Sequence, residues 1–243
     1  MSDTAHPQLA LHLSRKPNSD FKNFIETGNE QILSRLKQVA QARDRLHQYP
    51  DSKPDWLYLW GGEQTGKSHL LLATCQLAEQ SGQRVFFLDA AQARDLSTSL
   101  LTGVSEFDLV VVDDLDCMRG HGQWQEALFH LYNQLKDRGH ALLVASEAPP
   151  QQIQLSLPDL ISRLSAMEIY QLTALDDAGR ADALESMARQ RGFSVSEDVA
   201  TYILNRSGRD LNSLKAVIER LDLQSLQEKR LITIPFVKKV MGW

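Results

Sequence analysis

The chain has 243 residues, of which 26 are Lys or Arg and 31 are Asp or Glu, so its formal net charge is −5. Apolar residues make up 42% of the chain and charged residues 23%. This balance favours a folded core and excludes the disordered and fibrous classes. A chain of this length is expected to form one domain and a smaller second one. The mild acidity argues against a surface dedicated to coating DNA.

Nothing in the sequence directs the chain into a membrane or out of the cell. It has no run of about 18 apolar residues that would form a membrane helix, and its N-terminus lacks the apolar core of a signal peptide. Its two cysteines, Cys75 and Cys117, lie far apart in unlike surroundings, which does not indicate a disulfide or a metal site. We therefore expect a cytoplasmic protein without membrane contact.

The first two thirds of the chain predict alternating strands and helices. Residues 1–17 show no periodic pattern and are expected to form a flexible tail, and the apolar spacing of residues 29–47 predicts an amphipathic helix. The predicted strands are 56–60, 85–88, 109–112, 141–145 and 168–171, and the predicted helices between them are 67–80 and 124–137. This alternation is typical of a parallel sheet covered by helices.

After residue 172 the pattern becomes purely helical. Helices are predicted at 176–191, 197–205, 210–226 and 235–240, with Gly192 ending the first and Ser196 as the N-cap of the second. The sequence thus divides into the tail 1–17, an α/β nucleotide-binding body at 18–173 and a small helical lid at 174–243.

The strongest motif lies between the first strand of the body and the helix after it. The phosphate-loop pattern G-x-x-x-x-G-K-[ST] is formed by Gly61, Gly62, Glu63, Gln64, Thr65, Gly66, Lys67 and Ser68. Its glycines allow successive N–H groups to point at phosphate oxygens, and the helix N-terminus that follows favours an anion. Lys67 is expected to reach the β- and γ-phosphates, and the Ser68 hydroxyl to bind Mg²⁺.

A pair of carboxylates follows the predicted strand 109–112. Asp113 and Asp114 would lie at the carboxyl edge of the sheet, where ligands of open α/β sheets bind. Asp113 is expected to hold Mg²⁺ through water, and Asp114 to orient an attacking water. Alone, such residues are often only turn residues, and it is the neighbouring phosphate loop that favours a functional role.

Two further positions each have two interpretations. Ser146 and Glu147 follow the strand 141–145, where they either touch the γ-phosphate or its water or belong to an ordinary loop before Pro149. Arg209 begins the helix 210–226, where it either folds onto the phosphates as the lid closes or is a solvated surface arginine, as most arginines are.

Together these motifs resemble the AAA+ ATPases of the replication-initiator branch, among them the nucleotide domain of DnaA and the DnaA-related regulators that inactivate DnaA. The resemblance covers nearly the whole chain. It implies an α/β fold in which helices sandwich a parallel P-loop sheet, with a small C-terminal α-helical lid. It also implies ADP or ATP as the bound nucleotide, together with Mg²⁺.

The same resemblance assigns roles to individual residues. The segment 21–25 is similar to the stretch that packs beside the base in this family, which places Phe21 and Phe24 at the nucleotide. Residues 61–68 and 109–114 correspond to the Walker A and Walker B motifs, residues 146–147 to sensor 1, and Arg209 to sensor 2. Residues 157–164 resemble the box that carries an arginine finger, which falls on Arg163.

The tail contains a sequence similar to the peptide with which partners dock on the bacterial sliding clamp. Its expected clamp-binding residues are Gln8, Leu9, Leu11 and Leu13, with Gln8 as a polar anchor and the last two leucines filling an apolar pocket. Residues 154–158 read similarly, but they run directly into the arginine-finger box. We expect folded backbone there, and a folded segment cannot lie extended in a groove.

The resemblance implies a regulator of replication initiation rather than a metabolic enzyme. Such a protein docks on the clamp, meets DNA only indirectly through it, and presents Arg163 to the γ-phosphate of ATP bound to DnaA. DnaA then becomes ADP-bound, and over-initiation is prevented. The chain stops after the lid, without the DNA-reading domain that follows in DnaA, which favours a regulator over an initiator.

Other functions and assemblies stay open at this point. AAA+ interfaces permit a homo-oligomer. A loader of the replicative helicase would share the phosphate loop and the lid but would lack a clamp peptide. A stand-alone ATPase also fits, since Lys67, Ser68, Asp113 and Asp114 are all present, so a weak ATPase activity of the chain itself is compatible with the sequence.

Overall fold

The computed structural model describes residues 20–24, 28–42, 54–207, 211–228 and 231–243. The strands are β1 (Trp56–Trp60), β2 (Val85–Asp89), β3 (Leu109–Asp113), β4 (Ala141–Ser146) and β5 (Glu168–Gln171). The helices of the body are α1 (Glu30–Ala40), α2 (Lys67–Gln80), α3 (Ala90–Ala93), α4 (Gly122–Arg138) and α5 (Pro158–Ser165). They are followed by α6 (Asp177–Gln190), α7 (Glu197–Leu204), α8 (Leu211–Glu228) and α9 (Ile234–Met241). The predicted tail 1–17 and residues 43–47 of the predicted helix 29–47 lie outside the described residues, and within those residues α1 ends at Ala40.

The strands form one parallel sheet in the order β2-β3-β4-β1-β5. The register places Trp60 of β1 beside Ser146 of β4, and Asp89 of β2 beside Asp113 of β3. Because all strands run in the same direction, their carboxyl ends meet at one edge, which is where open α/β sheets bind ligands. The predicted parallel sheet and each of its predicted strands are confirmed.

The sheet is covered on both sides because its central strands are apolar on both faces. All residues of β3 are buried. Val110 and Val112 lie in an apolar cluster with residues of α4 and α5, whereas Leu109 and Val111 lie in a second cluster with residues of α1 and α2. Burying a parallel sheet in this way requires helices on both of its faces, and the predicted sandwich of helices and sheet is confirmed.

After β5 the described chain forms helices α6 to α9, which share an apolar cluster of their own. The side chain of Asp176 begins α6 by accepting a hydrogen bond from the Gly179 N–H at 2.8 Å. Gly192 has a φ of 84° just beyond α6 and ends it as predicted. Ser196 lies at the N-cap of α7, as predicted, although its side chain makes no capping hydrogen bond in the described structure.

The main differences from the predicted elements lie at the carboxyl edge of the sheet. β2, β3 and β4 each extend one polar residue beyond the apolar run, to Asp89, Asp113 and Ser146, because backbone pairing continues where the apolar pattern has ended. The short helices α3 and α5 are absent from the predicted elements, since so few residues show no helical period.

In the described ranges no helix is long and apolar enough to span a bilayer.

Asn29 ties the beginning of α1 to the chain that leaves the sheet after β5. Its side chain is 3% exposed. The Oδ1 atom accepts a hydrogen bond from the Thr173 N–H at 3.0 Å, and Nδ2 donates to the Thr173 carbonyl oxygen at 3.3 Å. Because both partners are backbone groups, the amide fixes the path of the chain between the sheet and α6.

We expect Asn29→Ala to lower the free energy of unfolding by about 1–2 kcal/mol, because two hydrogen bonds to the Thr173 backbone are lost. Asn205→Ala, which changes an exposed asparagine of the C-terminal helices, is the control and should stay within about 0.5 kcal/mol of the wild type. Urea unfolding followed by circular dichroism measures both. Equal losses in the two variants would show that the Asn29 bonds contribute nothing specific.

Candidate nucleotide-binding site

The phosphate loop joins β1 to α2 at the carboxyl edge of the sheet. The Gly61 N–H donates to the Ser146 carbonyl oxygen at 3.3 Å, so the loop starts in register with β4. A β-carbon at Gly61 would lie 2.8 Å from the Leu172 carbonyl oxygen, and Gly66 has a φ of 95° where α2 begins. Both positions therefore need glycine. The loop leads directly into the N-terminus of α2, which favours phosphate through its N–H groups and helix dipole.

Lys67 folds across the loop that precedes it. The side chain is only 6% exposed, and its Nζ donates to the carbonyl oxygens of Gly61 at 2.8 Å and Gly62 at 2.9 Å. The Thr65 hydroxyl also donates to the Gly62 carbonyl oxygen, at 3.0 Å. The ammonium group is thus held inside the loop, where it can exchange carbonyl partners for phosphate oxygens.

Ser68 and Asp113 bring a hydroxyl and a carboxylate together beside the loop. The Ser68 hydroxyl lies close enough to the Asp113 carboxylate to lower its pKa, and Asp113 Oδ1 accepts a hydrogen bond from the Asp114 N–H at 3.0 Å. Burial has the larger effect and raises the pKa of Asp113 to about 6, and the nearby charges of Asp114 and Asp89 act in the same direction as burial. A hydroxyl and a carboxylate are oxygen ligands of the kind that Mg²⁺ shares with nucleotide phosphates.

Asp114 follows Asp113 and lies at an open cleft. It has a φ of 53° and lines the cleft together with Asp116, Arg119 and Glu147. The Glu147 N–H donates to Asp116 Oδ2 at 2.6 Å, which holds the chain after β4 against the chain after β3. The structure therefore brings Asp114 and Glu147 to one cleft.

Ser146 is oriented differently from its neighbour Glu147. It is fully buried, and its Oγ accepts from the Ala148 N–H at 3.2 Å. The Tyr58 hydroxyl donates to the Ala148 carbonyl oxygen at 2.9 Å. The Ser146 side chain therefore stabilises the backbone at the carboxyl edge of the sheet.

The two phenylalanines of the leading segment, residues 20–24, have different surroundings. Phe21 is 8% exposed and packs in the apolar cluster of α1 and α2, with Lys37 Nζ 5.5 Å from its ring centroid. Phe24 lies against the phosphate loop, since a β-carbon at Gly66 would come within 2.6 Å of its ring. Phe24 is therefore the phenylalanine that lies at the candidate site.

His69 holds the leading segment onto α2 and has no counterpart among the predicted site residues. Its ring centroid lies 5.8 Å from that of Phe24, and its Nε2 lies 2.9 Å from the Asp20 carbonyl oxygen. Burial lowers the pKa of His69, so that the neutral ring donates the Nε2 proton to this carbonyl. The sequence around His69 does not indicate this contact, apart from the position of His69 directly after Ser68.

Arg163 lies in the last turn of α5, away from any acidic partner in the described residues. Its guanidinium carbon is 5.8 Å from the ring centroid of Tyr132 on α4, and its side chain is half-buried. Fully buried arginines are nearly always paired, but Arg163 is only half-buried and lies near an aromatic ring instead of a carboxylate, so its charge is available to another molecule.

The second peptide that resembles a clamp-binding sequence, residues 154–158, is part of the folded body. Gln154 has a φ of 58°, Leu155 is 7% exposed, and the N–H groups of Ser156 and Leu157 donate to Gln125 Oε1. This agrees with the expectation of folded backbone there. The expected clamp-binding residues Gln8, Leu9, Leu11 and Leu13 lie outside the described residues, as does Arg209.

Comparison with known families divides the chain into two matched parts. Residues 16–169 match the family model of the bacterial DnaA ATPase domain. Residues 177–241 match the model of the Hda lid domain. The two together are the combination found in Hda.

Solved structures of the same fold include structures of DnaA and one of RuvB. Domain III of DnaA from Thermotoga maritima superposes with a TM-score of 0.77 at 22% sequence identity, covering 93% of this chain and 96% of that one. AMPPCP-bound DnaA from Aquifex aeolicus gives a TM-score of 0.70 at 23% identity, with 89% and 69% covered. A RuvB mutant from Thermotoga maritima gives 0.68 at 16% identity, with 93% and 72% covered.

These structural likenesses confirm the predicted fold class, an AAA+ parallel sheet between helices with a C-terminal helical lid. The match to the DnaA ATPase domain covers more than half of the chain, and the lid is matched separately. The chain therefore belongs to the bacterial DnaA ATPase-domain family and carries a lid of the Hda type.

Proposed function

We propose that this DnaA-related AAA+ protein regulates replication initiation in the cytoplasm by binding adenine nucleotide, docking on the sliding clamp and promoting ATP hydrolysis by DnaA. The observation that carries the proposal is the union of a DnaA-type ATPase domain with an Hda-type lid in one chain. In this proposal DnaA is left in its ADP-bound form, so that a second initiation is prevented, and DNA is met only through the clamp.

The proposed nucleotide is ADP or ATP, bound by residues 61–68 with Mg²⁺ beside them. AMPPCP, an ATP analogue, is the ligand named for the Aquifex aeolicus DnaA structure. In this chain the Lys67 ammonium lies within the loop and the Ser68–Asp113 pair lies next to it, which is the donor set such a ligand needs. Phe24 would pack near the bound nucleotide, and Arg209 would approach its phosphates from the lid.

The proposed action on DnaA depends on Arg163. Its guanidinium has no carboxylate partner in the part of the chain that the structure describes and is oriented by the Tyr132 ring. An arginine that reaches the γ-phosphate of a neighbouring molecule stabilises the charge that develops there during hydrolysis. In this proposal the nucleotide of this chain sets the arrangement of body and lid, while the hydrolysed ATP is that of DnaA.

A stand-alone ATPase is the second candidate function. It is favoured by the Ser68 hydroxyl near the Asp113 carboxylate and by Asp114, which follows Asp113 and lines an open cleft, where a carboxylate can orient water. Steady-state turnover of ATP by the isolated protein separates this candidate from the regulator. A helicase loader is separated by its failure to bind the sliding clamp.

The proposed function is tested by single-turnover hydrolysis of ATP bound to DnaA, with this protein and with or without sliding clamp loaded on DNA. We expect hydrolysis to accelerate only when the protein and the loaded clamp are both present, because docking on the clamp raises the local concentration of the two proteins. No acceleration under any of these conditions would remove the proposed action on DnaA.

Replacing Gln8, Leu11 and Leu13 together by Ala is expected to abolish binding to the sliding clamp and to leave nucleotide affinity unchanged. The reason is that an extended peptide binds a groove through its anchor side chains, and these lie in sequence far from residues 61–68. Surface plasmon resonance on immobilised clamp measures the effect. The matched variant replaces Leu155 and Leu157, and clamp binding that follows those two leucines instead would show that residues 154–158 are the docking peptide.

A further inference from the structure

The helix that carries Arg163 packs against the longer helix α4 and against the sheet. α5 begins after Leu157 and has Arg163 in its last turn. Leu160 and Leu164 of α5 lie in one apolar cluster with Leu128 and Leu131 of α4. Apolar contacts are not directional, so they hold the two helices together without fixing how far α5 is shifted or rotated along α4.

Gln125 of α4 fixes the beginning of α5. It is fully buried, and its Oε1 accepts hydrogen bonds from Ser156 N at 2.9 Å, Ser156 Oγ at 3.0 Å and Leu157 N at 3.0 Å. Its Nε2 donates to the Met118 carbonyl oxygen at 2.9 Å. Hydrogen bonds are directional and a buried N–H needs a partner, so this one amide sets the position at which α5 starts.

Tyr132 of α4 fixes the other end. It lies about two helical turns beyond Gln125, on the same side of the helix. Its ring is held by Trp56, with centroids 4.3 Å apart in an edge-on arrangement, and is itself 4% exposed. The Arg163 guanidinium carbon lies 5.8 Å from the ring centroid, a distance at which the negative face of an aromatic ring attracts a cation. A rigidly held ring therefore orients the guanidinium.

We infer that Gln125 and Tyr132 are positioning residues for Arg163. Gln125 sets the position of α5 along α4, and Tyr132 holds the guanidinium in the orientation in which it meets the γ-phosphate of the partner's ATP. The inference rests on the proposed action of Arg163 on DnaA. Because a guanidinium binds phosphate through a planar fork, displacement by about 1 Å costs up to about 100-fold in rate.

The first test measures single-turnover hydrolysis of ATP bound to DnaA, at saturating concentrations of each variant and with loaded clamp. Gln125→Leu and Tyr132→Leu are expected to reduce the stimulated rate by about 10- to 100-fold. The concentration giving half-maximal stimulation should change little, because the lost contact is one made in the transition state. Tyr132→Phe keeps the ring and should stimulate as the wild type does. Gln125→Glu keeps the three acceptor contacts and should rank between Gln125→Leu and the wild type.

The matched control is Gln83→Leu. Gln83 is also buried, and its Nε2 donates to the carbonyl oxygens of Val39 at 3.1 Å and Ala40 at 2.8 Å. These partners belong to the apolar cluster on the opposite face of the sheet from α5. A general loss of stability would therefore appear in Gln83→Leu as well, whereas a loss of stimulation should not.

A second measurement reports on Arg163 without DnaA. In the ¹⁵N-correlated NMR spectrum of the full chain, the Nε–Hε signal of Arg163 is identified by its loss in Arg163→Lys. The ring current of Tyr132 should shift this signal in the wild type and in Tyr132→Phe. The shift should disappear in Tyr132→Leu and change in Gln125→Leu.

The outcomes separate the inference from the proposed function. Full stimulation by either folded leucine variant, or an Arg163 signal that is unchanged in Tyr132→Leu, overturns the inference. If the wild-type protein itself does not stimulate DnaA, the proposed function fails, and the NMR signal of Arg163 alone tests the inference. A changed chemical shift in both Tyr132→Leu and Gln125→Leu supports the orienting contacts, and an unchanged shift overturns them.

Discussion

Lys67→Ala is expected to weaken the binding of ADP and of ATP by about 100-fold or more. Lys67 is the only cation among residues 61–68, and its Nζ already lies within the loop, on the carbonyl oxygens of Gly61 and Gly62. A hydrogen bond between charged groups contributes about 1.5–3 kcal/mol, and about 1.4 kcal/mol corresponds to a factor of ten in affinity. The lost contacts of Lys67, with the β-phosphate of either nucleotide and also with the γ-phosphate of ATP, therefore account for the expected loss of affinity of about 100-fold.

The Lys67→Ala variant should still fold, because the lost partners are two loop carbonyl groups, of which that of Gly62 belongs to an exposed residue. Isothermal titration calorimetry with ADP measures the affinity, and far-ultraviolet circular dichroism checks the fold. Lys239→Ala is the control, since Lys239 is an exposed lysine of α9 paired with Glu228 at 2.8 Å. Affinity for ADP that is the same in both variants would show that residues 61–68 are not the nucleotide site.

The features that the sequence predicts well are those encoded by neighbouring residues. The phosphate loop is a continuous stretch of sequence, and phosphate binding depends directly on the spacing of its glycines, Lys67 and Ser68. The apolar runs of β1 to β5 are continuous as well. The ends of β2, β3 and β4 are less well predicted, because backbone hydrogen bonding to the neighbouring strand, and not the polarity of the residue, determines where a strand ends. Asp89 is the example: it closes β2 beside Asp113, although the apolar run has already ended at Leu88.

The features that the sequence does not predict are contacts between residues far apart in the chain. Phe21 and Phe24 are indistinguishable in a sequence pattern, and only the fold buries the first among α1 and α2 and lays the second against Gly66. In the sequence, Gln125 is only a polar residue in the first turn of a helix. In the structure, three donors and one acceptor from two other segments are hydrogen-bonded to its side chain. No periodicity or motif in the sequence indicates a hydrogen-bond partner of this kind.

Arg163→Ala is expected to reduce the stimulation of ATP hydrolysis by DnaA by about 10³- to 10⁵-fold in the single-turnover assay, the range that an arginine finger supplied in trans contributes. The affinities of this chain for its own nucleotide and for the clamp should stay near those of the wild type. In the described residues the guanidinium contacts the Tyr132 ring and not the phosphate loop, which is why the two effects should separate.

Lysine at this position should rescue poorly. Arg163→Lys restores the charge, but an ammonium is a single strongly hydrated point charge and cannot make the two parallel contacts of a guanidinium with phosphate oxygens. Arg191→Ala is the matched control, because Arg191 pairs with Glu219 and Asp222 on α8 and has no proposed part in the action on DnaA. Wild-type stimulation by folded Arg163→Ala would remove the finger role. Loss of nucleotide binding in that variant would instead make Arg163 a structural arginine of this chain's own fold, and the ring of Tyr132 would then serve only to pack α5 against α4.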